Sequence, residues 1–297
     1  MTAKACIRSM RLRTLPLSLA GITLGVFLAA KGHELNGLTV ALLVLTTVLL
    51  QILSNLSNEL GDTLHGTDRS DRQGIHYSIQ DGEMTVPEMK RLIGCVAVLC
   101  CLSGAGMVWS AFGMLRAPQP VSFLLLGAAA VWAAMHYTLG KNPYGYRGLG
   151  DIFVFIFFGL ATVCGGYYLC CRDWDWMVLL PAAAIGCFSV AVLNVNNIRD
   201  MKSDAETRTT VAIKLGGRRA RIYQTLLIAA GWVLMTVYAV LNADSWLNFL
   251  YVCTMGSFFM HLKGVWTRED RALDPMLPLL VVSTFFFALL AGIGGLQ

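Results

Sequence analysis

Charge is scarce in this chain. Asp, Glu, Lys and Arg make up 14% of its 297 residues, hydrophobic residues make up 56%, and the mean hydropathy is +0.61. A soluble domain carries about a quarter charged residues, so a water-soluble globule is excluded and the chain reads as a polytopic membrane protein. Signs of thiol chemistry are also missing. The nine cysteines form no C-x-x-C pair and most stand in apolar runs, where they read as small buried hydrophobes rather than ligands or disulfides. There is no Walker A loop, no H-E-x-x-H and no G-x-S-x-G, so the signatures of nucleotide, zinc-hydrolase and serine-hydrolase chemistry are absent.

What is present is a series of apolar runs. A bilayer crossing needs about 20 such residues. Nine spans are expected, at about 15–31, 37–57, 92–113, 120–139, 150–171, 175–197, 221–242, 246–262 and 275–295, the eighth being the shortest. The first follows Lys4, Arg8, Arg11 and Arg13 but leads straight into further spans, so it reads as a retained helix rather than a cleaved signal. The net charge of +5 invites a nucleic-acid reading, but its distribution points to topology instead. Of 23 Lys and Arg, 20 fall in the N-terminus and the loops after even-numbered spans; only Lys31, Arg116 and Arg172 lie on the other side. By the positive-inside rule the N-terminus is cytoplasmic and the C-terminus outside, in a plasma (inner) membrane.

Two polar stretches end apolar runs on that cytoplasmic side. The first is Asn55-Leu-Ser-Asn58-Glu59-Leu-Gly-Asp62, continuing to Asp68 and Asp71; the second carries Asn194, Asn196, Asn197, Asp200 and Asp204. At an offset of 142 residues Asn55 falls on Asn197, Asn58 on Asp200 and Asp62 on Asp204. On a helix, residues four apart share a face. The offset also suggests a duplication of helices 1–4 and 5–8 with the ninth appended, all within one domain, 1–297. Polar groups at membrane depth are costly and usually functional. Mg²⁺ takes oxygen ligands, ordinarily one or two carboxylates plus substrate phosphates and water. Asp62, Asp200 and Asp204 are the first candidate ligands of one divalent-metal site built from two half-sites, joined by Asp68, with Asn55, Asn58 and Asn197 as neutral oxygen donors or orienters.

The same loops carry cations: Arg72, Lys141, Arg147, Arg199, Lys202 and Lys214. Carboxylates, a metal and Arg or Lys together suit a diphosphate, although setting topology explains any one of these cations as well. Lys141 opens a turn that ends at Asp151, and Arg199 adjoins Asp200. Asp151 begins a very apolar helix and reads either as its N-cap or as a catalytic carboxylate. Phe153, Phe155, Phe157, Phe158, Trp132, Tyr167 and Tyr168 fit a greasy channel or lipid-facing positions equally well.

N-x-x-N-E-x-x-D with Asp68 and Asp71, paired with N-N-I-R-D-x-x-x-D, resembles the two Asp-rich motifs of the UbiA-type intramembrane prenyltransferases. Leu50 to Asp62, Gly66 to Gly74, Pro143 to Asp151 and Asn196 to Asp200 resemble most closely the branch of that family that acts on 1,4-dihydroxy-2-naphthoate. The resemblance implies an all-α fold of nine transmembrane helices around a central cavity open to the cytoplasm. It also implies a polyprenyl diphosphate donor held through Mg²⁺ by Asp62, Asp200 and Asp204, with Asn58 alongside. The expected reaction joins the polyprenyl chain to the naphthoate ring with loss of carbon dioxide, giving demethylmenaquinone. Two departures stand out: Glu59 replaces the usual Asp, and Ile75-His76-Tyr77-Ser78 lacks the usual Pro and Arg after Gly74.

Within the same fold, 4-hydroxybenzoate is the alternative acceptor. An ion-coupled transporter would place acids near mid-membrane rather than at helix ends, and a phosphatidyltransferase would need a D-G-x-x-A-R run that does not occur. The charge asymmetry gives a direct test. A reporter fused after Gln297 is expected to read as extracytoplasmic, and one placed between Arg208 and Arg221 as cytoplasmic. A cytoplasmic C-terminus would mean that a span is miscounted, most plausibly within 246–262.

Overall fold

The computed structural model describes residues 2–66, 77–242 and 244–296, and among these there is no strand. A short α1 (Ala3–Ser9) precedes α2 (Leu15–Ala30), α3 (Gly37–Leu64), α4 (Val86–Phe112), α5 (Pro118–His136), α6 (Gly150–Cys171), α7 (Leu179–Arg199), α8 (Gly217–Leu241), α9 (Met255–Thr267) and α10 (Met276–Gly295). The starts are set by local chemistry. Asn36 accepts from the Leu38 and Thr39 amides, and Thr85 with Glu88 forms a capping box ahead of α4.

Eight helical runs among the described residues are long and apolar enough to cross a membrane. The expected span at 246–262 differs in kind. It is a 3₁₀ helix, Trp246–Thr254, that runs on into α9. A 3₁₀ helix rises about 2.0 Å per residue against about 1.5 Å in an α-helix, so this run covers more depth than its residue count suggests. A second difference bears on function. α3 continues to Leu64 rather than ending at 57, so Asn58, Glu59 and Asp62 sit on a helix and not in a loop.

The helices pack through small residues, as expected where lipid supplies no hydrophobic drive between them. A side-chain carbon on Gly25 would stand 2.5 Å from the Val163 carbonyl oxygen, and one on Gly159 would stand 2.5 Å from the Gly186 Cα. Gly159 lies in a π-helical segment of α6, Phe155–Ala161. α7 is at the centre, with Ala182, Ile185, Phe188 and Ala191 fully buried. Against it Phe188, Trp232, Phe258 and Phe287 form a ring cluster with centroids 4.8–5.9 Å apart.

The two ends of the chain therefore differ in packing. The α7 to α10 side has this closely packed aromatic centre, with an open apolar groove of about 660 Å³ along α8 and α9 that Trp232, Phe258 and Phe259 line. On the other side α2 to α6 surround a cavity of about 440 Å³, to which α7 adds only Leu193. Its wall is mostly apolar, and Gln51, Ser54, Asn55 and Asn58 of α3 form a polar stripe along it. Phe153, Phe157 and Phe158 line it, whereas Phe155 packs on Gly186, Tyr167 is buried in the core and Trp132 is half exposed. Gly159→Val is expected to cost about 3 kcal/mol by forcing α6 off α7, read as a loss of thermal stability in detergent. A variant as stable as the parent would mean that this close approach is not required.

Candidate active site

Four elements meet at one end of the cavity wall: the last turn of α3, the turn Tyr144–Arg147, the start of α6, and the segment after α7 that holds the short helix Met201–Asp204. The turn is tied down by its backbone. The Gly145 amide donates to the Tyr137 carbonyl at 3.0 Å, and the Thr209 amide donates to the Tyr146 carbonyl at 2.9 Å. Gly145 is required, because a side-chain carbon there would lie 2.5 Å from the Tyr137 carbonyl oxygen. The closure brings residues from both polar stretches together.

At the centre is Arg208, with its side chain only 7% exposed. Its Nη2 donates to Asp204 Oδ2 at 2.5 Å, and its Nη1 lies 3.8 Å from Asp62 Oδ1. Tyr146 donates its hydroxyl to the same Asp62 oxygen at 2.8 Å, with its ring 5.8 Å from the guanidinium and 5.1 Å from the His65 ring. Burial opposes the charge on Arg208, but Asp62 and Asp204 outweigh it, and the guanidinium is held above its ordinary value. Tyr137 lines the cavity beside this group. Burial pushes its phenol up to about 12; Arg208 lowers it, and Asp151, Asp62 and Asp204 raise it.

The remaining expected residues divide. Asp200 is buried and held by Arg199 through two bonds, Nε to Oδ1 at 2.8 Å and Nη2 to Oδ2 at 2.6 Å. Arg199 also donates to Asp274 and Asn196, each at 2.9 Å, so its fork is committed within the protein. Lys202 points outward and pairs with Asp270. Asn55 donates to the Met10 carbonyl and the Thr14 hydroxyl, which ties α3 to the N-terminal segment, and Asn58 accepts from Thr138 at 3.2 Å. Asn197 is buried. Lys141 and Arg147 are exposed, and the Lys214 Nζ lies beside Gly148. Asp151 is not an N-cap: that position is Leu149, and the Asp151 carboxylate instead accepts from the Tyr223 hydroxyl at 3.0 Å. Asp68, Asp71, Arg72 and His76 lie outside the described residues.

The arrangement is similar to known proteins over nearly its whole length. Residues 18–291 match the model of the UbiA prenyltransferase family. The chain belongs to that family. It is 37% identical to the 1,4-dihydroxy-2-naphthoate octaprenyltransferase of Haemophilus influenzae, over 96% of this chain and 93% of that one. It is 38% identical to the protein of the same name from Escherichia coli, over 92% of this chain and 89% of that one. Among solved structures, a UbiA homologue from Aeropyrum pernix matches with a TM-score of 0.72 at 16% identity, covering 95% of this chain and 98% of the other. A UbiA homologue from Archaeoglobus fulgidus, bound to DMAPP and Mg²⁺, matches with a TM-score of 0.67 at 15% identity, covering 96% and 99%.

The family implies a metal, and the donor set can be tested against it. Among the described residues no three His, Cys, Asp or Glu come together as a metal cluster. Two carboxylates, however, Asp62 and Asp204, converge on a single cationic group. A pair of hard oxygen ligands completed by phosphate and water is the ordinary Mg²⁺ arrangement, so the residues fit. Three groups escaped the sequence reading as site residues: Arg208, Tyr146 and Tyr137. The Asp204 to Arg208 spacing of four was the available signal for one of them. Asp62→Asn and Asp204→Asn are each expected to lower turnover by about 100-fold or more, and a chelator to abolish it until Mg²⁺ is restored. Asp200→Asn is expected to act differently, leaving Arg199 buried and underpaired at a cost of about 3–5 kcal/mol of stability. Near-parental turnover in Asp204→Asn would dissolve the shared site.

Proposed function

We propose that this chain transfers a polyprenyl group from its diphosphate to 1,4-dihydroxy-2-naphthoate in menaquinone biosynthesis. The C–O bond to the diphosphate breaks, a C–C bond to the ring forms, and the carboxyl group leaves as carbon dioxide. The product is demethylmenaquinone at the quinol level, with inorganic diphosphate released. The observation that carries this reading is the convergence of Asp62 and Asp204 on Arg208, next to an apolar cavity whose wall includes Asn58, one turn before Asp62, and Tyr137. The identity of 37–38% to two proteins named as octaprenyltransferases for this acceptor supports it.

Asp62 and Asp204 would hold Mg²⁺, which when bound neutralises the charge that develops on the leaving diphosphate. Lys141 and Arg147, both exposed, and Lys214 beside Gly148 would supply the cations that meet phosphate oxygens. The prenyl chain enters the apolar cavity, whose walls keep water from an allylic cation that it would otherwise capture. Tyr144 and Phe153, stacked with centroids 3.9 Å apart, give the naphthalene ring a flat aromatic wall. Asp151, held by Tyr223, accepts a proton from a ring hydroxyl and makes the ring a stronger nucleophile. The enzyme works in the plasma membrane with its diphosphate site on the cytoplasmic side.

The test is purified protein with Mg²⁺, labelled polyprenyl diphosphate and a panel of aromatic acids. kcat/KM for 1,4-dihydroxy-2-naphthoate is expected to exceed that for 4-hydroxybenzoate by roughly 100-fold or more, since a site built to bond a second ring hydroxyl rejects a ring lacking it. Turnover of 4-hydroxybenzoate with none of the naphthoate would overturn the acceptor. Asp151→Asn is expected to slow transfer with donor binding little changed; loss of thermal stability at unchanged specific activity would assign Asp151 a structural role.

A further inference from the structure

Arg208 presents an electrostatic conflict. It is buried, and it meets one carboxylate from each polar stretch, through Asp204 Oδ2 and Asp62 Oδ1, on the two acids that would hold a divalent cation. A hard cation bound to Asp204 Oδ2 at about 2.1 Å would sit within about 5 Å of Nη2, and like charges at that range repel strongly away from bulk water. The guanidinium and the metal therefore compete for these two acids.

The hydrogen bonding of Arg208 is also incomplete. A guanidinium has five N–H donors in a rigid fork. Nη2 makes a close bond to Asp204, Nη1 stands too far from Asp62 for a hydrogen bond, and Nε–H has no partner among the described residues. An underused buried donor set is poorly matched to its surroundings and well matched to a multiply charged oxyanion. Asp62, by contrast, accepts a hydrogen bond from Tyr146, which can hold its carboxylate in place if the arginine leaves. Tyr146 is itself anchored through its carbonyl, which accepts from the Thr209 amide.

We infer that Arg208 is an internal counter-ion that competes with the divalent cation for Asp62 and Asp204 and is released to the diphosphate when the two bind together. This inference rests on the prenyl-diphosphate reading of the site but not on the identity of the acceptor. In the resting enzyme Arg208 offsets the repulsion between two buried carboxylates and keeps the two stretches together. It also makes free metal a weak ligand. Metal carried in with a diphosphate brings the negative charge that draws the guanidinium away, so that metal and diphosphate bind as a unit and the donor is engaged only in its metal complex. Arg208 is on this account a positioning residue whose contacts change during the cycle.

The experiment is Mn²⁺ binding to the purified full-length protein in detergent, followed by electron paramagnetic resonance without donor or acceptor. Arg208→Gln removes the competing charge and is expected to bind Mn²⁺ at least about tenfold more tightly than the parent. Arg208→Lys keeps a point charge but loses the fork and is expected to fall between them. Inorganic pyrophosphate is expected to tighten Mn²⁺ binding in the parent more than in Arg208→Gln. Equal or weaker Mn²⁺ binding in Arg208→Gln would overturn the inference. If that variant does not fold, Arg208→Lys decides, and affinity no tighter than the parent's overturns the inference. Failure of the parent to prenylate the naphthoate would remove the proposed acceptor and leave the Mn²⁺ comparison standing.

Discussion

Two carboxylates from distant parts of the chain are kept out of water within reach of one guanidinium, and much of the architecture serves that arrangement. Asp62 and Asp204 would repel each other in a medium of low polarity, and Arg208 offsets this with one short bond and one looser contact. The acids sit where they do because α3 runs past the expected bilayer edge to Leu64 and because the short helix Met201–Asp204 follows directly on α7. The turn at Tyr144–Arg147 spans the gap, with Tyr146 bonded to Asp62 by its hydroxyl and to Thr209 by its carbonyl. A small residue at 145 is a precondition, since any side chain there would collide with Tyr137.

The uneven packing of the bundle follows from the same need. A large apolar substrate requires a hollow that water does not enter, and a hollow in a helical bundle sacrifices dispersion contacts along its walls. Close helix approaches at Gly25 and Gly159 and the aromatic cluster around Phe188 and Phe287 supply contacts elsewhere in the bundle. α7 separates the two regions. One face packs Phe188 into the cluster, while its C-terminal end delivers Asp200 and then Asp204 to the site. The pair Arg199–Asp200 belongs to the α7 to α10 side. Its link to Asp274 ties the end of α7 to the segment before α10, so the carboxylate of Asp200 supports the scaffold while Asp204 faces Arg208.

Most of this fold was legible in the sequence because lipid imposes a simple rule: every crossing must be apolar and long enough to satisfy its own backbone. The helices at Leu15–Ala30 and Gly150–Cys171 fall close to the apolar runs that announce them. The run at 246–262 was harder to read because apolar composition does not distinguish a 3₁₀ helix from an α-helix. In the site, oxygen-rich residues at spacings of four announced the two stretches, and one acid from each, Asp62 and Asp204, comes within reach of Arg208. Side-chain direction was not legible. Asp200 and Arg199 adjoin in sequence and turned out to bind each other, and Lys202 turned outward to Asp270. Arg208 was visible only as one of many cytoplasmic cations, since its partner Asp62 lies far away in the chain and is brought close only by tertiary closure.

Glu59 shows how a substitution within a motif can be accommodated without altering the chemistry beside it. Read on its own, a longer acid in place of Asp suggests a displaced ligand. In the structure the Glu59 carboxylate leaves the cavity wall and accepts from the Ile79 amide at 3.0 Å. The adjoining turn is held to the N-terminal segment as well, by Ser78 bonded to the Ala5 carbonyl, by Arg8 paired with Asp81 and by Arg11 stacked 3.6 Å over the Tyr77 ring. The extra methylene thus reaches a backbone that a shorter acid at the same Cα would approach less closely. The consequence is mechanical. α3 presents Asp62 to the reacting end of the cavity and, one turn earlier, uses Glu59 to fix the point at which the chain returns toward α4. One short helical stretch therefore supplies a site carboxylate and an anchor for the segment that follows it.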